Sequence, residues 1–245
     1  MASPSIGTIS ALSTGTTGTT RTPDISAATL LKGHIVLCHI GARFTGSGTA
    51  VITPPAGEGW NLLYDGPMGS NAREALYWKR WGVAGQTDDT TPTFTMAGAT
   101  VWGCVLIQVR GCYTSGNPYD ATTSVLLQAA NSTMTAPDAT SAGPQRTSCR
   151  FYASVDDNAH ATHSEGALAY GGVNYDEAGG SGFALSMSYL TNEPAGAVGT
   201  ATMAQGVNGP DSWNGSTVLF RPAVSLSYVP MRNPMRVRRD PNLRR

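Results

Sequence analysis

Apolar and polar residues alternate with a period of two along most of the chain, in short runs broken by Gly, Pro and Asn, and no helix-period segment of any length interrupts them. The longest run is Val101-Trp102-Gly103-Cys104-Val105-Leu106-Ile107-Gln108-Val109-Arg110. In an extended strand, Val101, Val105, Ile107 and Val109 point to one side and Trp102, Cys104 and Leu106 to the other, which predicts a central strand covered on both faces. Gly103 inside it marks a bulge or the close approach of a neighbour. Upstream, the pattern predicts strands over 30–40, 49–53, 60–64 and 75–81, and over 92–96, which pairs with the central strand as a hairpin across Ala97-Gly98-Ala99. Downstream it predicts strands over 124–130, 148–155, 182–190, 199–203 and 217–222, with Val224 to Tyr228 either a last strand or the start of a tail. Many short strands without crossover helices make this an all-β protein, an antiparallel β-sandwich of jelly-roll-like topology.

Composition divides the 245 residues into three parts. Residues 1–23 are rich in Ser, Thr and Gly, with Arg21 the one charged side chain before Asp24, and read as an extended arm. Residues 24–223 form the sandwich, and 224–245 an Arg-rich C-terminal arm. Only 13% of residues are charged, a composition typical of proteins that depend on assembly, and Lys32 and Lys79 are the only lysines. The formal net charge of zero hides an asymmetry: Met231 to Arg245 holds Arg232, Arg236, Arg238, Arg239, Arg244 and Arg245 against one acid, Asp240, a local balance of +5. Such a tail docks on an acidic protein surface first and on nucleic acid second. The N-terminus lacks the basic and apolar regions of a signal peptide and no run approaches a membrane span, so folding in a cytoplasm without a membrane partner is expected. Cys38, Cys104, Cys112 and Cys149 form no C-x-x-C pair and read as buried free thiols.

Catalytic motifs fail on inspection. Gly179-Gly180-Ser181-Gly182 stops short of a nucleophile elbow because Phe183 follows, and Gly41 to Ser47 has phosphate-loop glycines without the Lys. His160 and His163 with Asp156, Asp157 and Glu165 are the one ligand-like cluster, better read as a polar loop than a metal site. No metal and no cofactor is expected. Of Trp60, Trp78, Trp81, Trp102 and Trp213, most lie in apolar runs and suit a core, whereas Trp81, between Arg80 and Gly82 at a strand end, is the candidate for an exposed indole that contacts a glycan.

Five successions resemble a known family. Ile52-Thr53-Pro54-Pro55-Ala56-Gly57-Glu58-Gly59-Trp60-Asn61-Leu62-Leu63 is similar to its P-P-x-G-W-x-L turn and strand. Leu76-Tyr77-Trp78-Lys79-Arg80-Trp81-Gly82-Val83-Ala84 is similar to its Y-x-R-x-A strand, and Trp102 to Gly111 to its I-x-x-Y-R-G strand. Asn117-Pro118-Tyr119-Asp120 resembles its N-P-F-D turn, and Asp211-Ser212-Trp213 leading to Val218-Leu219-Phe220-Arg221-Pro222-Ala223 its last strand. The family is that of β-sandwich virion structural proteins of tailed, actinobacteriophage-type phages, minor tail or head-associated, and the resemblance spans 24–223.

The resemblance implies a non-enzymatic virion component, assembled in the host cytoplasm, whose partners are capsid or tail subunits. Joined to the charge pattern, it leads to a homo-oligomer, by analogy a trimer, fastened to its neighbours by its terminal arms through the six arginines named above. Two other classes remain open on the residues: a carbohydrate-binding module for host attachment, and a sandwich-fold hydrolase.

Overall fold

The computed structural model describes residues 2–223 apart from 16–17, 45–50, 71, 98, 124–131, 156–159, 161, 175–181 and 206–210. The expected strand at 124–130, the segment 224–228 and all six tail arginines lie outside the described residues.

The first part of the chain supplies β1 (Ser5–Ile9), β2 (Ser13–Gly15), β3 (Thr20–Arg21), β4 (Ile35–Phe44), β5 (Ile52–Thr53), β6 (Asn61–Met68), β7 (Ala72–Arg80), β8 (Phe94–Met96) and β9 (Ala99–Arg110). The second supplies β10 (Tyr119–Thr123), β11 (Thr133–Ala136), β12 (Thr140–Ser141), β13 (Arg146–Ser154), β14 (Ala167–Asn174), β15 (Ala184–Glu193), β16 (Gly196–Ala197), β17 (Ala201–Ala204) and β18 (Trp213–Phe220). No helix occurs among the described residues, and every pairing is antiparallel. The protein is an all-β sandwich.

Each part closes its own large sheet: β1-β9-β4-β7-β6 in the first, with β2 also on β9, and β10-β18-β13-β15-β14 in the second. A small sheet covers each: β3-β8-β5 in the first, and β11-β17, joined by a bridge from His163 to Met203, in the second. Counted in chain order, with β1 and β2 as one broken strand, the first part reads 1-8-3-6-5 over 2-7-4. That interleaving is a jelly roll whose fifth strand extends the larger sheet. The second part repeats it. The chain is therefore two jelly rolls in tandem.

The repetition extends to register. Ile6 pairs with Val109 and Ile9 with Ile107 across an irregularity; Tyr119 pairs with Phe220 and Thr122 with Val218 across another at the same place. Leu62 then Tyr64 face Tyr77 then Leu76, as Leu168 then Tyr170 face Ser188 then Met187, each with the same one-residue bulge. Sequence follows: Thr93-Phe94-Thr95-Met96-Ala97 matches Thr200-Ala201-Thr202-Met203-Ala204, Glu58-Gly59 before Leu62-Leu63-Tyr64-Asp65-Gly66 matches Glu165-Gly166 before Leu168-Ala169-Tyr170-Gly171-Gly172, and Trp102 to Arg110 has the spacing of Trp213 to Arg221.

The large sheets stack face to face. Leu37, Leu76, Val105 and Ile107 of the first meet Phe151, Met187, Val218 and Phe220 of the second. The outer faces lie under the small sheets: Trp102, Cys104 and Leu106 pack with Ile52, Phe94 and Met96, and Tyr152 and Trp213 with Met134, Ala201 and Met203. Layers on both sides explain why β9 is apolar on both faces, as its alternation predicts. All four cysteines are free and buried.

Two expectations are corrected. The strand at 92–96 does not pair with the central strand; β8 pairs with β3 and β5, because β4 and the N-terminal strands already occupy the two edges of β9. The N-terminal segment is extended, but residues 5–9, 13–15 and 20–21 are strands of the sandwich rather than an arm outside it. Ile6, Ile9 and Leu12 pack on the inter-sheet core, and Arg21 donates to the Trp102 carbonyl with its guanidinium over the Trp102 ring. Three apolar residues at a spacing of three are enough to seat this polar segment.

Candidate functional site

Trp81 follows the end of β7. Its backbone is fixed on both sides: Trp81 N donates to His34 O at 2.8 Å, and its carbonyl accepts from Gly33 N at 2.9 Å. Gly82 adopts φ 75°, and a Cβ there would lie 2.9 Å from Lys32 Cβ, so glycine is required where the turn closes on the Lys32 backbone. The turn is held by Gly82 N donating to Asp88 Oδ2 at 2.7 Å.

Against this corner lies the linker between the two jelly rolls. Arg80 donates to Tyr113 O at 2.6 Å and to Gly116 O at 2.9 Å, and Arg221 stacks on the Tyr113 ring at 4.1 Å. Lys32, Gly33, Arg80, Trp81, Val83 and Thr114 surround a pocket of about 320 Å³. Trp81 is half-buried rather than fully exposed, and so is Trp60; Trp78, Trp102 and Trp213 are buried.

Behind the pocket sits the ammonium of Lys79, at 0% exposure. It donates to Thr87 O at 2.7 Å, lies 3.6 Å from both Glu58 Oε2 and Asp88 Oδ1, and approaches the Trp60 and Trp81 rings at 5.6 and 5.3 Å. Trp60 Nε1 donates to Glu58 Oε2 at 3.0 Å. Two carboxylates, a carbonyl and two indole faces thus replace the water removed from this cation. The second jelly roll solves the same problem with another strand: Arg150 of β13, also buried, donates to Thr217 Oγ1 at 2.8 Å and reaches Glu165 Oε2 at 3.5 Å. Glu58 and Glu165 open the matching Glu-Gly turns of the two halves.

Two further polar groups are sealed from solvent. Between the sheets, His39 Nε2 lies 2.8 Å from Glu74 Oε1, both at 0% exposure, with Phe151 edge-on to the His39 ring at 5.3 Å. Nearby, Asn214 donates to the Tyr64 hydroxyl at 3.2 Å across the interface; burial, and then the Glu74 and Asp65 charges, push the Tyr64 pKa up. On the outer face of the second sheet, His160 is buried with Nε2 2.8 Å from Ser154 Oγ and Nδ1 2.5 Å from Ser186 Oγ. Burial first and His39 second push its pKa down to about 3.

The ligand-like cluster of His160, His163 and Glu165 does not converge. Both His160 nitrogens face serines, His163 Nε2 bonds Gly166 O, and Glu165 turns to Arg150; Asp156 and Asp157 lie outside the described residues. Among the described residues no three His, Cys, Asp or Glu side chains gather as metal ligands. The sequence singles out Trp81 as a strand-end indole but not the Lys79 cage around it. Its components come from a turn, a strand and a loop, and only the scarcity of lysine marked Lys79 as unusual.

Comparison with protein-family models, with curated proteins and with solved structures gives no match for this chain.

Proposed function

We propose that this protein is a non-enzymatic structural component of a tailed-phage virion, a minor tail or head-associated protein that docks on capsid or tail subunits. The observation that carries the reading is the joining of two parts with opposite character. The body spends its sheet faces on its own layers and closes its N-terminal strand onto β9, while the C-terminal segment concentrates six arginines within fifteen residues. The resemblance of residues 24–223 to phage virion proteins supports it, as does the burial of His39, Glu74 and His160, which serve packing. Arg232, Arg236, Arg238, Arg239, Arg244 and Arg245 then pair with carboxylates of neighbouring subunits, guanidinium forks matching carboxylates in two-point contact.

The test is incorporation. Quantitative mass spectrometry of purified particles, with heads and tails separated, should find the chain in one fraction. Replacing Arg236, Arg238 and Arg239 by Ala should lower its occupancy in a salt-sensitive way while the soluble protein keeps its unfolding midpoint. Absence from particles, or occupancy unchanged at every ionic strength, would sink the proposal.

A further inference from the structure

The two halves are copies of one fold, so what one carries and the other lacks is not required by that fold. Register aligns them residue by residue: Trp78 stands where Tyr189 stands, Lys79 where Leu190 stands and Arg80 where Thr191 stands, opposite matching positions of β4 and β13. Beyond them the first half continues Trp81-Gly82 and the second Asn192-Glu193. Trp60 is an insertion between the shared Glu-Gly and Leu-x-Tyr pieces, since Ala167 follows Gly166 directly. Both copies hold a buried cation against the Glu of the Glu-Gly turn, Lys79 in one and Arg150 in the other, but two indoles and Arg80 stand at this corner of the first copy alone, and that corner holds the pocket of about 320 Å³.

We propose that this pocket binds a hexopyranose that bears a carboxylate, such as a uronic acid residue of a surface glycan. The Trp81 indole offers a flat face of negative quadrupole to the weakly positive C–H face of a pyranose. The Trp81 main chain is fixed by its hydrogen bonds with Gly33 and His34, and its ring is held by packing on the core of the first half and by the Lys79 ammonium at 5.3 Å, so little side-chain freedom is lost on binding. Val83 and Ala84 line the apolar side, and Thr114 brings a hydroxyl. The volume is at the lower end for ligand sites, which suits one sugar ring rather than a long chain.

Charge selects the acidic sugar. Lys32 and Arg80 line the pocket and no carboxylate does; Arg80, held by the Tyr113 and Gly116 carbonyls, contributes charge rather than free donors, and Asp88 in the adjoining turn is engaged by Gly82 N and faces Lys79. The same cations disfavour the chain's own arginine-rich segment as the occupant.

The experiment uses the full chain and saturation-transfer NMR with methyl β-D-glucuronide and methyl β-D-glucoside, each at about 5 mM, in keeping with the weak affinity of so small a ligand. Transfer to ring protons of both sugars is expected, with the glucuronide at least threefold tighter in low salt and the advantage lost near 0.5 M NaCl. Trp81→Ala should abolish it. Because Trp81 also supports Lys79, Ala84→Trp provides the second variant: Ala84 is exposed, and an indole there fills the pocket without touching the core. No transfer to either sugar, equal affinity for both, or transfer unchanged in Ala84→Trp would overturn the proposal.

Discussion

Lowering the pH from 7 to 5 should cost this protein stability chiefly through His160, with His34, lowered by burial and then by Arg110, acting in the same sense. The imidazole is enclosed by Ser154 and Ser186, and a neutral ring fits them because one nitrogen donates while the other accepts. Its pKa stands at about 3 in the folded protein against 6.5 for an ordinary histidine. Between those values the unfolded chain carries a proton that the folded chain does not, so unfolding takes up a proton and acid favours it. The contribution is complete above pH 6.5 and is lost as pH falls toward 3. From pH 7 to 5 the loss is about 2 kcal/mol, which moves a urea midpoint by roughly 0.7–1 M. Urea unfolding of the wild type and His160→Gln at both pH values, followed by tryptophan fluorescence, isolates the effect from other titrating groups. Gln can still bond the serines but does not titrate, so its midpoint should move by less than half as much. An identical pH dependence in the two proteins would refute the reasoning.

Gly103→Ala should destabilise by about 1–3 kcal/mol, because a Cβ there would stand 2.8 Å from the Ser13 carbonyl oxygen and 3.0 Å from the Phe183 ring; chemical denaturation measures it. Lys79→Met should cost about 3–5 kcal/mol by leaving the buried Glu58 carboxylate without its cation, with an accompanying change in Trp60 and Trp81 emission. A loss below 1 kcal/mol would mean that the two indoles and the carboxylates do not depend on the ammonium.

The face pattern of Val101 to Arg110 was legible because a doubly covered strand writes both of its neighbours into its own alternation. Its pairing was not legible. Adjacency in sequence suggested that Phe94 to Met96 fold back on it, but in a jelly roll the seventh and eighth strands belong to different sheets. The duplication stayed hidden for a related reason. Equivalent core positions hold different residues, Ile107 against Val218 and Leu76 against Met187, since a core demands volume and polarity rather than identity. What persists is local geometry: the Glu-Gly turns, where Gly59 and Gly166 have φ 74° and 71°, and the two Thr-x-Thr-Met-Ala strands. Comparing the chain with itself at an offset near 111 residues, as from Trp102 to Trp213, brings out these pieces. At the pocket, strand-end position marked Trp81, whereas the partnership of Lys79 with Glu58 and Trp60 depends on contacts across some twenty residues that no local pattern encodes.

In each jelly roll the last strand slots between the first and the third, and this sets a timetable for synthesis. The first unit closes once Arg110 has left the ribosome, but its apolar inner face waits for β18, about 100 residues later. At translation rates of 5–20 residues per second that is on the order of 5–20 s of exposure. During that interval a neighbouring nascent chain offers a face shaped like the missing one, and the two halves of different molecules compete to meet. The expected outcome is a larger share of exchanged dimers in protein made on crowded polysomes than in protein refolded at high dilution, which size-exclusion chromatography of the two preparations checks.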